Sequence, residues 1–229
     1  MRKILYIAAT ALLCASCFHV NTNYKGGKNA IKGEGNVTSK SFDFKDFDKI
    51  VINGHADVNF TQSSVYEVTV RTQENVFEWL DYKVDGNTLI IETKDHREIR
   101  ATKYDLVIQA PDLTSIQVNG ASDFDIPAGL MTQGSLKIQV NGAGDLTFNQ
   151  IVCKSLSVEV NGAADATLTE LDVLTDLKVE VNGAGDVTLT GHTENVSLSV
   201  NGAGAIDAKG LQVDGEVKKH AAGIAKISM

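Results

Sequence analysis

Over the second half of the chain, apolar and polar residues alternate one for one. Leu136, Ile138 and Val140 are separated by Lys137 and Gln139, and Leu156, Val158 and Val160 by Ser157 and Glu159. Leu177, Val179 and Val181 are separated by Lys178 and Glu180, and Leu198 and Val200 by Ser199. A period of two predicts strands with one buried face. Each strand ends on Asn-Gly, and a second short strand follows: Leu146-Thr147-Phe148, Ala166-Thr167-Leu168 and Val187-Thr188-Leu189. Asn and Gly both tolerate positive φ, so the dipeptide predicts a turn between the two strands.

The Asn-Gly pair occurs six times, first at Asn53 and then at Asn119, Asn141, Asn161, Asn182 and Asn201, the last five spaced by 22, 20, 21 and 19 residues. A period near twenty predicts one structural unit copied along an axis. Asn-Gly between alternating strands also fits a hairpin meander in an antiparallel sandwich. The constant phase of the strands and the small residue after most Gly positions favour a solenoid. The expected fold is therefore all-β: a single-stranded parallel β-helix with irregular N-terminal coils. Neighbouring coils would lie about 4.8 Å apart. Val140, Val160, Val181 and Val200 would form one internal column, and Leu136, Leu156 and Leu177 another. Ala143, Ala163, Ala184 and Ala203 would line a tight inner corner. A decayed copy at His220-Ala221-Ala222-Gly223, with His220 in place of Asn, predicts a terminal coil whose Lys218 and Lys219 blunt a strand edge.

Residues 37–113 share the strand style without the strict period. They predict broader first coils that cap the solenoid, with one helical turn over Asn75 to Leu80.

The ends change the picture. Arg2-Lys3, the apolar run Ile4 to Leu13 and Cys14-Ala15-Ser16-Cys17 resemble a bacterial lipoprotein leader, with Cys17 as the acylated first residue of the mature chain. The apolar run is too short to span a bilayer. An ordinary secretory signal cleaved nearby is the alternative. Residues 18–36, rich in Asn, Gly and Lys, predict a flexible tether, and residues 37–229 the β-helix, with regular coils from about residue 114. A net charge of −8 argues against nucleic acid or an anionic membrane surface as direct ligand. With Cys14 removed and Cys17 acylated, Cys153 is left without a disulfide partner.

The order of motifs resembles the lipoproteins of Bacteroides-type bacteria that contain the putative auto-transporter adhesin, head GIN domain. The resemblance rests on Phe47-Asp48-Lys49-Ile50-Val51-Ile52-Asn53-Gly54, on Thr69-Val70 with Glu74-Asn75, on Asp85-Gly86-Asn87-Thr88-Leu89-Ile90-Ile91, and on Ala110-Pro111-Asp112-Leu113. It continues through Ile116-Gln117-Val118-Asn119-Gly120-Ala121 and the later copies, covering about residues 42 to 228. It implies a right-handed β-helix on an exported, membrane-anchored protein of the outer membrane, on its periplasmic or cell-surface side, and a role in adhesion. It supplies no catalytic residues.

Four residues after most of the asparagines comes an acid: Asp57, Asp123, Asp145, Asp165 and Asp186. Stacked carboxylates about 4.8 Å apart repel by roughly 0.9 kcal/mol even in water. A file of Asp123, Asp145, Asp165 and Asp186 could hold a cation such as Ca²⁺, or each Asp could cap its own turn. The asparagines predict a ladder of stacked amides. Arg97 and Arg100 read as a solvated loop, and His55, His96, His192 and His220 lack metal-ligand spacing. No nucleophile motif or phosphate loop appears, so catalytic residues are expected to be none. The aromatic residues of the first half suit cap packing or a glycan site. The expected function is a non-enzymatic, adhesin-like or structural envelope module held to the membrane by its lipid anchor, with a glycan or an envelope protein as partner. The alternative is a polysaccharide-active or carbohydrate-binding β-helix protein.

Overall fold

The computed structural model describes residues 30–229. The leader, Cys17 and residues 18–29 of the expected tether lie outside the described residues. Strand β1 is Ile31–Lys32 and β2 is Val37–Phe42. The first Asn-Gly corner joins β3 (Lys49–Gly54) to β4 (Asp57–Gln62). Then come β5 (Glu67–Gln73), a 3-10 turn over Glu74–Trp79, β6 (Leu80–Asp85), β7 (Thr88–Thr93), β8 (Ile99–Arg100) and β9 (Tyr104–Ala110). The regular spiral comprises β10 (Ser115–Ala121), β11 (Asp123–Ile126), β12 (Leu130–Met131), β13 (Ser135–Asn149), β14 (Ile151–Cys153) and β15 (Ser155–Gly183). It ends with β16 (Asp186–Gly202), β17 (Ala205–Val213), β18 (Val217–Gly223) and β19 (Lys226–Ser228).

Successive coils pair in parallel: β10 with β13, β13 with β15, β15 with β16, and β16 with β17 and β18. The result is a β-solenoid of about five turns. Val118, Val140, Val160, Val181 and Val200 form a buried column, each at most 1% exposed. Burial of each such side chain contributes roughly 1.5–3 kcal/mol before entropy is subtracted. Phe124 and Phe148 meet edge to face at 5.9 Å on the second side of the spiral.

The Asn-Gly corner is a bend inside a continuous strand pair rather than a turn between two strands. From Ser135↔Ser155 to Asn149↔Thr169 the register never slips. The asparagines keep negative φ, and only the glycines bend the chain, with φ between +144° and +154° at Gly120, Gly142, Gly162, Gly183 and Gly202. Because the alternation runs unbroken through the bend, Ala143 shares the parity of Gln139 and Asp145. Ala143, Ala163, Ala184 and Ala203 are accordingly exposed, not interior. The residue one place later points inward: Ser122, Ala164, Gly185 and Gly204 are buried there. The inner corner is tight, as expected, but different small residues fill it.

The first half departs further from expectation. Although 66 residues separate them, β3 stacks directly beneath β10, with Asn53 opposite Asn119. The intervening segment is an excursion, not a series of coils. It places β7 parallel beneath β3 and β9 parallel beneath β4, with β6 antiparallel to β7 and β5 antiparallel to β9, and the preceding strand β2 closes this end antiparallel to β5. At that end of the spiral Phe42 lies opposite Val68, and Tyr82 opposite Ile91. Phe42 stacks on Phe44 at 5.7 Å and meets Tyr82 at 5.6 Å, so these rings close the lower mouth of the core. Residues 30–36, assigned above to the tether, belong to the fold. Ile31 is 5% exposed and pairs with Ile99, and Asn75 binds the backbone of both Lys32 and Glu34.

The excursion leaves the third side of the first coil without a strand beneath β12. The Gln62 carboxamide stands in for it: Oε1 accepts the Met131 N–H at 2.9 Å, and Nε2 donates to the Met131 carbonyl at 2.8 Å. Nε2 also donates to the Pro111 carbonyl at 2.9 Å. At the other end, the terminal copy sits two residues out of the expected alignment. Ala222 stands opposite Asn201, His220 opposite Ser199, and Lys219 opposite Leu198. The alignment is set by Gly223, which bends at φ +95° opposite Gly202.

Candidate functional site

The asparagines form one file along the edge of the first side. Asn119 Nδ2 donates to Asn53 Oδ1 at 2.8 Å, Asn141 to Asn119 at 2.9 Å, and Asn161 to Asn141 at 3.0 Å. Asn182 donates to Asn161 and Asn201 to Asn182, each at 3.0 Å. Every amide thus points one N–H down the spiral. The second N–H is used too: Asn161 reaches Glu159 at 2.8 Å and Asn182 reaches Glu180 at 3.2 Å. The Asn182 amide, then the Lys178 ammonium, hold the Glu180 carboxyl below the usual carboxylate range. At the bottom Asn53 donates to Glu92 at 3.2 Å. With their carboxamides occupied in this way, the asparagines act as internal ties and present few free groups to a ligand.

The aspartates form a second file on the adjacent side, exposed at Asp57, Asp123, Asp145, Asp165 and Asp186. Asp57 lies opposite Asp123 and Asp145 opposite Asp165, while Ala205 ends the file opposite Asp186. Their carboxylates do not cap their own turns. Asp123 Oδ1 accepts the Asp145 N–H, Asp165 Oδ1 accepts that of Asp186, and Asp186 Oδ1 accepts that of Ala205, each at 2.9 Å. Between Ala121↔Ala143 and Phe124↔Leu146 the backbone ladder has a gap. There the carboxylate supplies the acceptor that the lower coil's carbonyl does not. Among the described residues, no group of three or more His, Cys, Asp or Glu is placed to hold a metal ion.

A third file carries a signal that the motif reading missed. Outward on the first side stand Lys49, Ser115, Lys137 and Ser157 in register, and higher up Lys178, Ser197 and Lys218. Lysine appears on every second coil, so no two ammonium groups sit one coil spacing apart. A search for similarity at twice the repeat length would have found it.

The remaining titratable groups have structural partners. Arg100 forks onto Glu98 at 2.9 and 3.2 Å. The Arg97 guanidinium lies 4.3 Å from the half-buried Trp79 ring. His192 spans two coils, with Nε2 3.0 Å from Asp214 and Nδ1 3.8 Å from Asp172. The hydrogen bond to Asp214, ahead of the Asp172 charge, raises its pKa. Cys153 is buried, and desolvation pushes its thiol up to about 11. A cavity of about 30 Å³ beside Asn53, Glu92 and Tyr104 has room for one water. A shallow groove of about 270 Å³ runs under β12, beside Gln62, Met131 and Gln150. Among the described residues, His55, His96, His192 and His220 belong to no cluster placed to hold a metal ion.

The profile of the family described as "putative auto-transporter adhesin, head GIN domain" matches residues 46–229. No curated protein matches the sequence. The crystal structure of a putative adhesin from Bacteroides fragilis is 21% identical, covers 86% of this chain and 99% of its own, and superposes with a TM-score of 0.70. That of a putative adhesin from Parabacteroides distasonis is 19% identical, covers 87% of this chain and 99% of its own, and gives 0.70. A putative lipid binding protein from Parabacteroides distasonis, 19% identical and covering 88% of this chain and 100% of its own, gives 0.50. At these identities the likeness is one of fold.

Proposed function

Because the chain belongs to the putative auto-transporter adhesin, head GIN domain family, we propose that it is a non-enzymatic binding module of the bacterial envelope, held to the membrane by acylation of Cys17. The observation that carries this reading is the contrast between bore and surface. Apolar columns fill the interior, while the sides display polar files in register over many coils. Such a surface suits an extended ligand that repeats along its length better than a small substrate held in a pocket. A long glycan has that shape, and the half-buried rings at the lower mouth offer sugar-stacking surface beside the polar sides. The filled bore leaves no room for an acyl chain inside the spiral, which argues against reading the protein as a lipid carrier.

The test has two arms. Cells expressing the whole chain are labelled with a palmitate analogue. Label on the wild type, absent from Cys17→Ser, supports the anchor, and an unlabelled wild type overturns it. The purified protein is then applied to glycan arrays and to envelope extracts. Retention of a polysaccharide without its cleavage supports the reading, and capture of an envelope protein alone replaces the glycan with a protein partner. Turnover of a polysaccharide that vanishes in the Asp145→Ala, Asp165→Ala, Asp186→Ala triple variant would instead make the protein an enzyme.

A further inference from the structure

We propose that Asn201 is a site of spontaneous deamidation whose reaction loosens the upper end of the solenoid. All six ladder asparagines precede glycine, the neighbour that least hinders attack of its backbone nitrogen on the carboxamide carbon. The nitrogen of Gly202 bonds to Cγ of Asn201, the carboxamide nitrogen leaves as ammonia, and a succinimide ring closes. Water then opens the ring to aspartate or isoaspartate.

What separates the six sites is the ladder. The Oδ1 atoms of Asn53, Asn119, Asn141, Asn161 and Asn182 each accept an N–H from the amide of the coil above. Their carboxamides are held from both sides and are half-buried. Asn201 has no amide above it: it donates to Asn182 below at 3.0 Å and to Ser199 of its own strand at 3.4 Å. Opposite it stands Ala222, whose methyl has no N–H to give. Asn201 is also the one exposed member of the file, and its upper neighbour β18 is exposed at all seven residues. The end of a stack opens more often than its middle. The carboxamide of Asn201 therefore reaches the attack geometry most often.

The product changes the fold locally. A carboxylate at this position has no N–H for Asn182 Oδ1. Isoaspartate also lengthens the main chain inside the pairs Asn201↔Ala222 and Gly202↔Gly223 that hold β18. The first effect weakens the tie between this coil and the one below it, and the second releases β18, and with it β19, from β16 and β17.

The test incubates the purified protein at mildly alkaline pH and maps deamidation by peptide mass spectrometry. Asn201 is expected to react first and the five lower sites far more slowly. Ala222→Asn places a carboxamide above Asn201 and is expected to slow its reaction about fivefold, the equivalent of one net hydrogen bond. Hydrogen exchange in residues 217–228 should rise in step with product. Equal rates at the six sites overturn the proposal without recourse to any variant. So does an unchanged Asn201 rate in Ala222→Asn.

Discussion

Replacing Asn161 by Asp tests whether the amide ladder acts through its hydrogen bonds or merely through its shape. The two side chains have the same outline, but the carboxylate has no N–H. Asn161→Asp therefore loses the bond to Asn141 Oδ1 at 3.0 Å and the one to Glu159 Oε1 at 2.8 Å, while keeping its place as acceptor for Asn182 at 3.0 Å. A neutral hydrogen bond contributes a net 0.5–1.5 kcal/mol or so, and one to a charged group roughly 1.5–3 kcal/mol. Water reaches this half-buried file, so the summed loss is expected at about 2–3 kcal/mol. Asn201→Asp loses a ladder bond with water on its upper side, and its expected cost is under about 1 kcal/mol. Urea unfolding followed by circular dichroism measures both, provided the slope with denaturant stays constant. The Asn161→Asp deficit should shrink as the pH falls toward about 4, because the protonated acid regains a donor and the folded state favours that form. Equal losses at the two positions, or a pH-independent deficit, would refute hydrogen bonding as the source of the ladder's contribution.

Three further outcomes follow from the same geometry. Gly162→Ala puts a Cβ 2.0 Å from the Gly142 carbonyl at φ +148° and should cost more than about 3 kcal/mol, whereas Gly134→Ala, in open space, should stay within about 0.5 kcal/mol, both by chemical denaturation. Cys153 should resist a thiol reagent until the protein unfolds. Its thiol keeps its proton to about 11 against an ordinary 9.0, so the stability linked to it is intact below pH 9 and declines as the pH rises toward 11, and Cys153→Ser should remove that decline. His192 should titrate above its ordinary value by NMR, and Asp214→Asn should lower it. Its contribution to stability is full below the unfolded value and lost as the pH rises through the raised one.

Much of the spiral was legible because parity and period are both written in the residues. Val140, Val160 and Val181 share a phase, and the structure stacks them. The same parity also places Ala143 outside, since it stands three positions, an odd step, beyond Val140. The expectation of an inner Ala column failed by treating the Gly bend as a break in the alternation. The excursion between Gln62 and Ser115 was not legible as such. Sequence distance hides that Asn53 touches Asn119, a pairing that exists only in the folded chain. The terminal copy sits out of the expected alignment because His220 matches Asn only in polarity, whereas Gly223 sets the register through its backbone. The aspartates stack in a file, as their spacing suggests, but their partner, the next coil's N–H, appears only once the gap in the ladder is seen.

The Gln62 side chain has an implication for how such a chain evolves. One carboxamide satisfies both main-chain groups of Met131 that a missing neighbour would leave bare. That single residue lets the polypeptide step out of the spiral, build something else, and return, without exposing a sticky rim. Length and sequence between the departure and the return are then free to vary, and novelty can be inserted there while the stack above stays untouched.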